Sequence, residues 1–142
     1  MSSRKIDDLD ITMQQPALEL IHQCRLIGID LLVTCTFRSA AEQDILYAQG
    51  RTAPGIICTH ATGGQSLHNT TKNGKPAALA FDVVPIINGR AYWTHTGKGA
   101  KIWQTIGEAG EKLGLEWGGR WKAPKTDRPH FQQKGQNAKT QR

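Results

Sequence analysis

The sequence predicts an α+β domain in which a small, mainly antiparallel sheet packs with helices. Three observations predict it. Apolar residues recur at helical spacing in three separate stretches with recognisable ends, short β-branched runs are set off by turn residues, and the two kinds follow no strict strand–helix alternation. With 142 residues the chain suits one domain, expected over positions 1–132, burying about two-thirds of its unfolded surface. No internal repeat is present.

Pro16 is expected to open the first helix, in which Leu18, Leu20, Ile21, Cys24 and Ile27 can face a core and which Gly28 ends; His22 on it reads as structural. Ile29 to Thr36 is apolar and β-branched enough for a buried strand, and it delivers Arg38 just past its end. Ser39-Ala40-Ala41-Glu42 reads as a capping box starting a second helix that Gly50 closes. Gln43 and Tyr47, four apart, share a face of that helix. Positions 51–65, rich in Gly, Thr and Pro, form a long irregular segment of the kind that shapes binding clefts. Leu79 to Ile87 makes a second strand carrying Asp82, with Pro85 placing it near a sheet edge or a strand end. Asn88-Gly89 is a turn signal, and Tyr92 and Trp93 after it are candidates for a cleft wall, with packing the commoner role. Between Gly99 and Leu113, residues Ile102, Trp103, Ile106, Ala109 and Leu113 recur at helical spacing before a Gly114 cap. Leu115 to Trp117 and His130 to Gln132 read as short strands on either side of a Gly-Gly loop. From Gln133 to Arg142 the chain is polar, with Lys134, Lys139 and Arg142, and reads as a solvated tail.

A formal net charge of +6 implies attraction to polyanions. The basic residues are scattered, with no recognition helix, zinc finger or aromatic-interleaved basic stripe, so no nucleic-acid partner is expected; an anionic cell envelope accounts for the charge equally well. Three cysteines, an odd number without metal spacing, argue against a disulfide framework; Cys24 and Cys35 read as core, and Cys58-Thr59-His60 as a weak candidate for a second metal patch. Ser2 to Asp10 lacks the apolar region of a secretory signal, and no apolar run approaches the roughly 20 residues that span a bilayer, so no membrane insertion is expected.

His68, Asp82 and His130 offer two imidazoles and one carboxylate, a set that holds a catalytic zinc and leaves its fourth position for water. Asp127, three residues before His130, is the candidate general base. Spacing alone leaves open a hydrogen-bonding loop histidine beside Ser66 and an ion-paired Asp82 in an apolar strand.

The ordered segments Ser66-Leu67-His68, Ala80-Phe81-Asp82 and Asp127-Arg128-Pro129-His130-Phe131 resemble the zinc D-alanyl-D-alanine carboxypeptidase and L-alanyl-D-glutamate endopeptidase family, which includes phage endolysins and vancomycin-resistance dipeptidases. The likeness takes in Thr36-Phe37-Arg38-Ser39, Gln43, the run from Leu46 to Gly55, Gly63 to Ser66, Gly114 to Gly119 and Trp121-Lys122, covering about positions 16–132. It implies a Hedgehog/DD-peptidase-like fold, one Zn2+ per chain held by His68, Asp82 and His130, Asp127 as acid/base, Arg38 as an oxyanion or substrate contact, and Ser66 beside the substrate. Gln43 and Tyr47 are further candidate substrate contacts, with ordinary helix packing as the alternative.

The implied activity is hydrolysis of peptidoglycan stem peptides by a monomer, at the L-Ala to D-Glu bond, as a phage endolysin in host lysis. Such an enzyme is made in the host cytoplasm without a signal peptide and reaches the wall or periplasm through a holin. A D-Ala-D-Ala carboxypeptidase and a non-catalytic, zinc-stabilised binding module are the alternatives. Three departures from the family pattern stand out: an insertion between His68 and Asp82 marked by Gly74 and Pro76, Ala78 where Gly is common, and Arg120 where an acid is common.

Overall fold

The computed structural model describes residues 2–136, and its frame is an antiparallel sheet. The strands are β1 (Asp30–Cys35), β4 (Ala80–Ile87), β7 (His130–Gln133) and β6 (Leu115–Trp117), adjacent in that order, with β5 (Arg90–Ala91) paired to the far end of β4. A separate hairpin joins β2 (Thr71–Lys72) to β3 (Lys75–Pro76). The helices are α1 (Ile11–Leu26), α2 (Ala40–Ala48) and α3 (Lys98–Lys112).

The first helix begins before the proline expected to open it. Asp10 is the N-cap, its carboxylate accepting the Thr12 N–H at 3.0 Å, and Leu9 and Met13 are drawn into the core at this end. Pro16 therefore lies in the second turn and costs the helix one backbone bond. The buried stripe is Met13, Ala17, Leu20 and Cys24; Leu18 is 48% exposed and Ile27 60%, against the expectation that both face the core. Two apolar stripes run along this helix, and packing on β1 and α3 selects the one with the smaller side chains.

Ser39 caps α2 with the capping box its sequence announces: Ser39 Oγ accepts the Glu42 N–H and Glu42 accepts the Ser39 N–H. In α3, Gly107 and Gly110 let large rings lie directly on the backbone. A Cβ at Gly107 would run into the Trp117 indole, and one at Gly110 into the Phe131 ring.

Strand β4 is central; of the two positions its proline suggests, a sheet edge or a strand end, the structure has the second, with Pro85 third from the end of the strand. Pro85 lies opposite Leu31, and its carbonyl accepts the Tyr92 N–H at 2.8 Å. Its missing N–H points the same way, into the gap where β7 has ended and β5 begins, so no ladder bond is lost to a neighbour.

Alternation along the strands separates core from site. Phe81 and Phe131 are cross-strand partners, fully buried, with rings stacked at 5.7 Å on the side of α3. The next pair, Asp82 and His130, therefore faces the opposite side. A register shift between Val33 and Cys35 then sets Cys35 beside Asp82, an irregularity of a kind common next to functional sites.

The insertion after His68 forms the β2–β3 hairpin, turned by Asn73 and Gly74 at positive φ, and its strand residues are exposed. Ala78 accommodates its Cβ in the core while its backbone bonds Asp8 and Asp10. At the carboxyl end, Gln133 belongs to β7 and not to a tail: its N–H donates to the Leu79 carbonyl and its amide to Thr12 Oγ1. The rest of the expected tail, positions 137–142 with Lys139 and Arg142, lies outside the described residues.

Candidate active site

A cleft of about 1130 Å³ opens on the sheet face away from α1 and α3, between the 57–68 segment and the 120–130 segment. His68, Asp82, Asp127 and His130, dispersed in sequence, meet in it.

Each arrives by a different device. Ser66 Oγ accepts the His68 N–H at 3.2 Å and caps a short 3-10 turn, Leu67–Asn69, that aims the imidazole inward. Asp82 and His130 come from the β4–β7 ladder. Asp127 is held by its own backbone, its N–H on the Gly118 carbonyl at 2.9 Å and its carbonyl accepting the His130 N–H at 3.3 Å. Gly118 is required there because a Cβ would collide with the Asp127 carbonyl.

The donor atoms converge on one carboxylate oxygen. His68 Nε2 is 3.3 Å and His130 Nδ1 3.2 Å from Asp82 Oδ1. Ligands about 2.0–2.1 Å from a tetrahedral zinc lie about 3.3 Å from one another, so each of these two separations suits a pair of ligands on one metal; the set with ligand atoms all within 4.8 Å of one another is Cys35, His68 and Asp82. The other ring nitrogen of each histidine is already engaged, His68 Nδ1 with the Thr36 carbonyl at 2.8 Å and His130 Nε2 with Gln132 Oε1 at 2.8 Å. Both partners are acceptors, so with a metal bound each ring would carry its proton on that side and leave the nitrogen that faces Asp82 free to ligate.

Gln132, nine-tenths buried, escaped sequence reading; the i, i+2 spacing from His130, which places both on one face of a strand, is the signal that could have found it. The sequence places Cys35 in the core. It is buried, yet its Sγ lies 3.5 Å from His68 Nδ1, and Cys35, His68 and Asp82 have potential ligand atoms within 4.8 Å of one another. The sulfur stands on the His68 nitrogen that Thr36 already occupies and accepts from Arg38 Nη2 at 3.4 Å, so it borders the donor set from behind.

In the metal-free chain these groups distort one another's protonation. Burial drives the His68 imidazolium down, but the Asp82 carboxylate outweighs it and lifts the group to about 10. Burial likewise raises Asp82, yet both histidines overcome it and hold its carboxyl well below the usual range. Asp127, 47% exposed and 3.9 Å from His130 Nδ1, sits above the ordinary carboxyl value; burial is the main cause, and Asp82 adds to it.

Arg38 reaches the cleft with its guanidinium braced by Ser2 Oγ and Gln43 Oε1, both at 3.0 Å, and by Cys35 Sγ. Of its five N–H groups, these use three and leave two. Gln43 is buried outside the cleft lining with its amide spent on Arg38, Thr59 and Ala61, so it reaches Arg38 and the cleft loop but not a substrate. Tyr47 also lies outside the lining, its ring under the Arg51 guanidinium at 3.8 Å. Ser66 does line the cleft. Trp93 is 54% exposed and Tyr92 packs by Gly99, so neither walls it; that position belongs to Trp121, whose ring lies 5.1 Å from His130 and whose Nε1 donates to Glu116. Arg120, in the place of an acid, pairs with Glu111 on α3 at 2.9 Å.

Residues 59–133, more than half of the chain, match the D-alanyl-D-alanine carboxypeptidase family, and the chain belongs to that family of peptidases. It is similar to the peptidoglycan L-alanyl-D-glutamate endopeptidase CwlK of Bacillus subtilis, with 42% identity over 110 residues, which is 74% of this chain. The chain spans 61% of that relative's length. Among solved structures, the Serratia marcescens L-Ala D-Glu endopeptidase ChiX aligns with a TM-score of 0.54 and 21% identity, covering 94% of this chain and 88% of its own. The vancomycin-resistance D,D-pentapeptidase VanY from a VanB-type cassette, solved with Zn(II), aligns with a TM-score of 0.57 and 15% identity, covering 89% and 73%. At these identities the two structures establish the shared fold.

Proposed function

We propose that the chain is a zinc-dependent peptidoglycan endopeptidase that hydrolyses the bond between L-Ala and D-Glu of stem peptides. The observation that carries this reading is the convergence of His68 Nε2 and His130 Nδ1 on Asp82 Oδ1 at 3.3 and 3.2 Å, with both remaining ring nitrogens engaged. The likeness to CwlK supports the choice of bond.

His68, Asp82 and His130 would hold the metal, which supplies Lewis acidity for the scissile carbonyl and for an attacking water. Asp127, 3.9 Å from His130 Nδ1, borders that set and accepts the water's proton. It then returns the proton to the leaving amine. The two remaining N–H groups of Arg38 stabilise the developing oxyanion or hold a neighbouring carboxylate. Gln43 keeps that guanidinium in place, and Ser66 holds the turn that presents His68.

The test is mass spectrometry of purified peptidoglycan fragments after incubation with zinc-loaded protein, chelated protein and Asp127→Ala. New L-Ala and D-Glu termini, absent in both controls, are expected. Loss of only a terminal D-Ala would make the protein a carboxypeptidase, the activity for which its family is described. Absence of any cleavage would leave the binding-module alternative. A role as a phage endolysin, made in the host cytoplasm and released to the wall through a holin, belongs to the same proposal and rests on the sequence resemblance; lysis of expressing cells only when a holin is co-expressed is its expected outcome.

A further inference from the structure

We infer that the cleft binds its peptide in one direction, with the anionic leaving half against the 121–127 turn, where Lys122 and Lys125 read its carboxylates. The inference rests on the endopeptidase reading and deepens it.

Asp127 fixes the direction. The group that returns a proton to the leaving amine must stand on the leaving side, and Asp127 ends the 121–127 turn. Within that turn Lys125 N–H donates to the Lys122 carbonyl at 2.9 Å and Thr126 Oγ1 to the Trp121 carbonyl at 2.7 Å, and Trp121 Nε1 ties it to Glu116 of β6 at 2.9 Å. Lys122 and Lys125 are presented by the same turn and line the same cleft as Asp127.

Charge is distributed accordingly. Lys122 and Lys125 line the cleft, are exposed, and have no carboxylate partner among the described residues. Of the other cleft cations, Arg120 is paired with Glu111, and Arg38 is braced by Gln43 and Ser2 with two N–H groups left for the reacting carbonyl or a carboxylate beside it. The facing wall, with Leu46, Ile57, Thr59 and Ala61, offers no lysine; its cation is Arg38, which Gln43 ties to Thr59 and Ala61.

The substrate has the same asymmetry. On the acyl side of the scissile bond the substrate presents only the methyl side chain of L-Ala, whose carbonyl becomes a carboxylate only once the bond is cut. The leaving half begins with D-Glu, whose α-carboxylate stays free because the chain continues through its side chain. Exposed lysines are most often merely solvated, and one exposed ion pair is weak. The expected effect is therefore about two- to fivefold in kcat/KM per lysine, falling as salt rises.

Two soluble stem peptides test it, one with free carboxylates in its leaving half and one amidated there, each offered to the full zinc-loaded chain. The wild type should cleave the free peptide several-fold better, and the preference should shrink with salt. The double variant Lys122→Glu/Lys125→Glu should reverse the preference, chiefly through KM. A charge-matched control on the exposed hairpin, Lys72→Glu/Lys75→Glu, should keep the wild-type preference. Wild-type preference in the Lys122/Lys125 variant overturns this inference alone, whereas failure of the wild type to cleave either peptide overturns the endopeptidase reading and this inference with it.

Discussion

Asp82 and His130 are direct partners across the β4–β7 ladder, and Asp82 Oδ1 lies 3.2 Å from His130 Nδ1. The pairing that stacks Phe81 on Phe131 in the core therefore also assembles the donor set on the other face, so core packing and site geometry share one register. A slip of one residue would exchange Asp82 for an apolar neighbour and scatter the set.

Asp127 should matter to turnover without mattering to metal. Asp127→Asn keeps the turn, since the residue is tied by its backbone to Gly118 and His130. It should lower kcat by about 10²–10⁴-fold, the usual contribution of a general acid–base group, with unchanged bound zinc. Steady-state kinetics beside elemental analysis of the purified variant checks this; metal loss in step with activity would make Asp127 a ligand.

Gln132 should hold His130 through its far nitrogen, 2.8 Å away. Gln132→Leu leaves that nitrogen without an acceptor and frees the ring to turn, and zinc affinity should fall about 10–100-fold. Gln132→Glu preserves the acceptor and should retain affinity. Competition with a chromophoric chelator distinguishes them, and equal affinity in all three proteins would remove Gln132 from the metal centre.

Metal-free protein should lose stability as pH rises. Although burial works against the charged ring, Asp82 lifts His68 from 6.5 to about 10 in the folded chain. The folded state therefore keeps a proton that the unfolded chain releases above pH 6.5, so this contribution is full below pH 6.5 and lost as pH climbs through about 10. Chelated protein should show a falling Tm across that window. Zinc must expel the same proton, so its affinity should rise over the window, with about one proton released per metal bound near neutrality. Calorimetry in buffers of different ionisation heat counts that proton; release of none would contradict the charged His68.

Gly107→Ala should destabilise even though alanine is the better helix former. The propensity gain is about 1 kcal/mol, while a Cβ driven into the Trp117 ring costs about 1–3 kcal/mol in strain and repacking. A lower urea midpoint with unchanged slope is the expected result, and a higher midpoint would mean that the indole moves aside freely.

Much of this protein was legible locally. The Ser39 capping box, the helical spacing of Ile102, Trp103 and Ile106, and the short strands around the Gly-Gly loop are set by neighbours within a few residues, and the structure has them where the sequence put them. The start of α1 was misplaced because Pro16 is the stronger textual signal, while the cap at Asp10 gains from burial of Leu9 and Met13, a tertiary effect. Pro85 leaves both a sheet edge and a strand end open because the sequence does not say where a neighbouring strand stops.

The candidate site divides in the same way. By itself the sequence determined which side chains can carry the chemistry, His68, Asp82, Asp127 and His130, because residue type sets donor atoms and charge. Only the tertiary structure decided that they meet, that Gln132, Thr36 and Cys35 stand behind them, and that Gln43 braces Arg38 while Tyr47 lies outside the cleft. Those outcomes depend on strand register and on which hydrogen bonds burial leaves to be satisfied, and both arise from contacts between residues far apart in the chain.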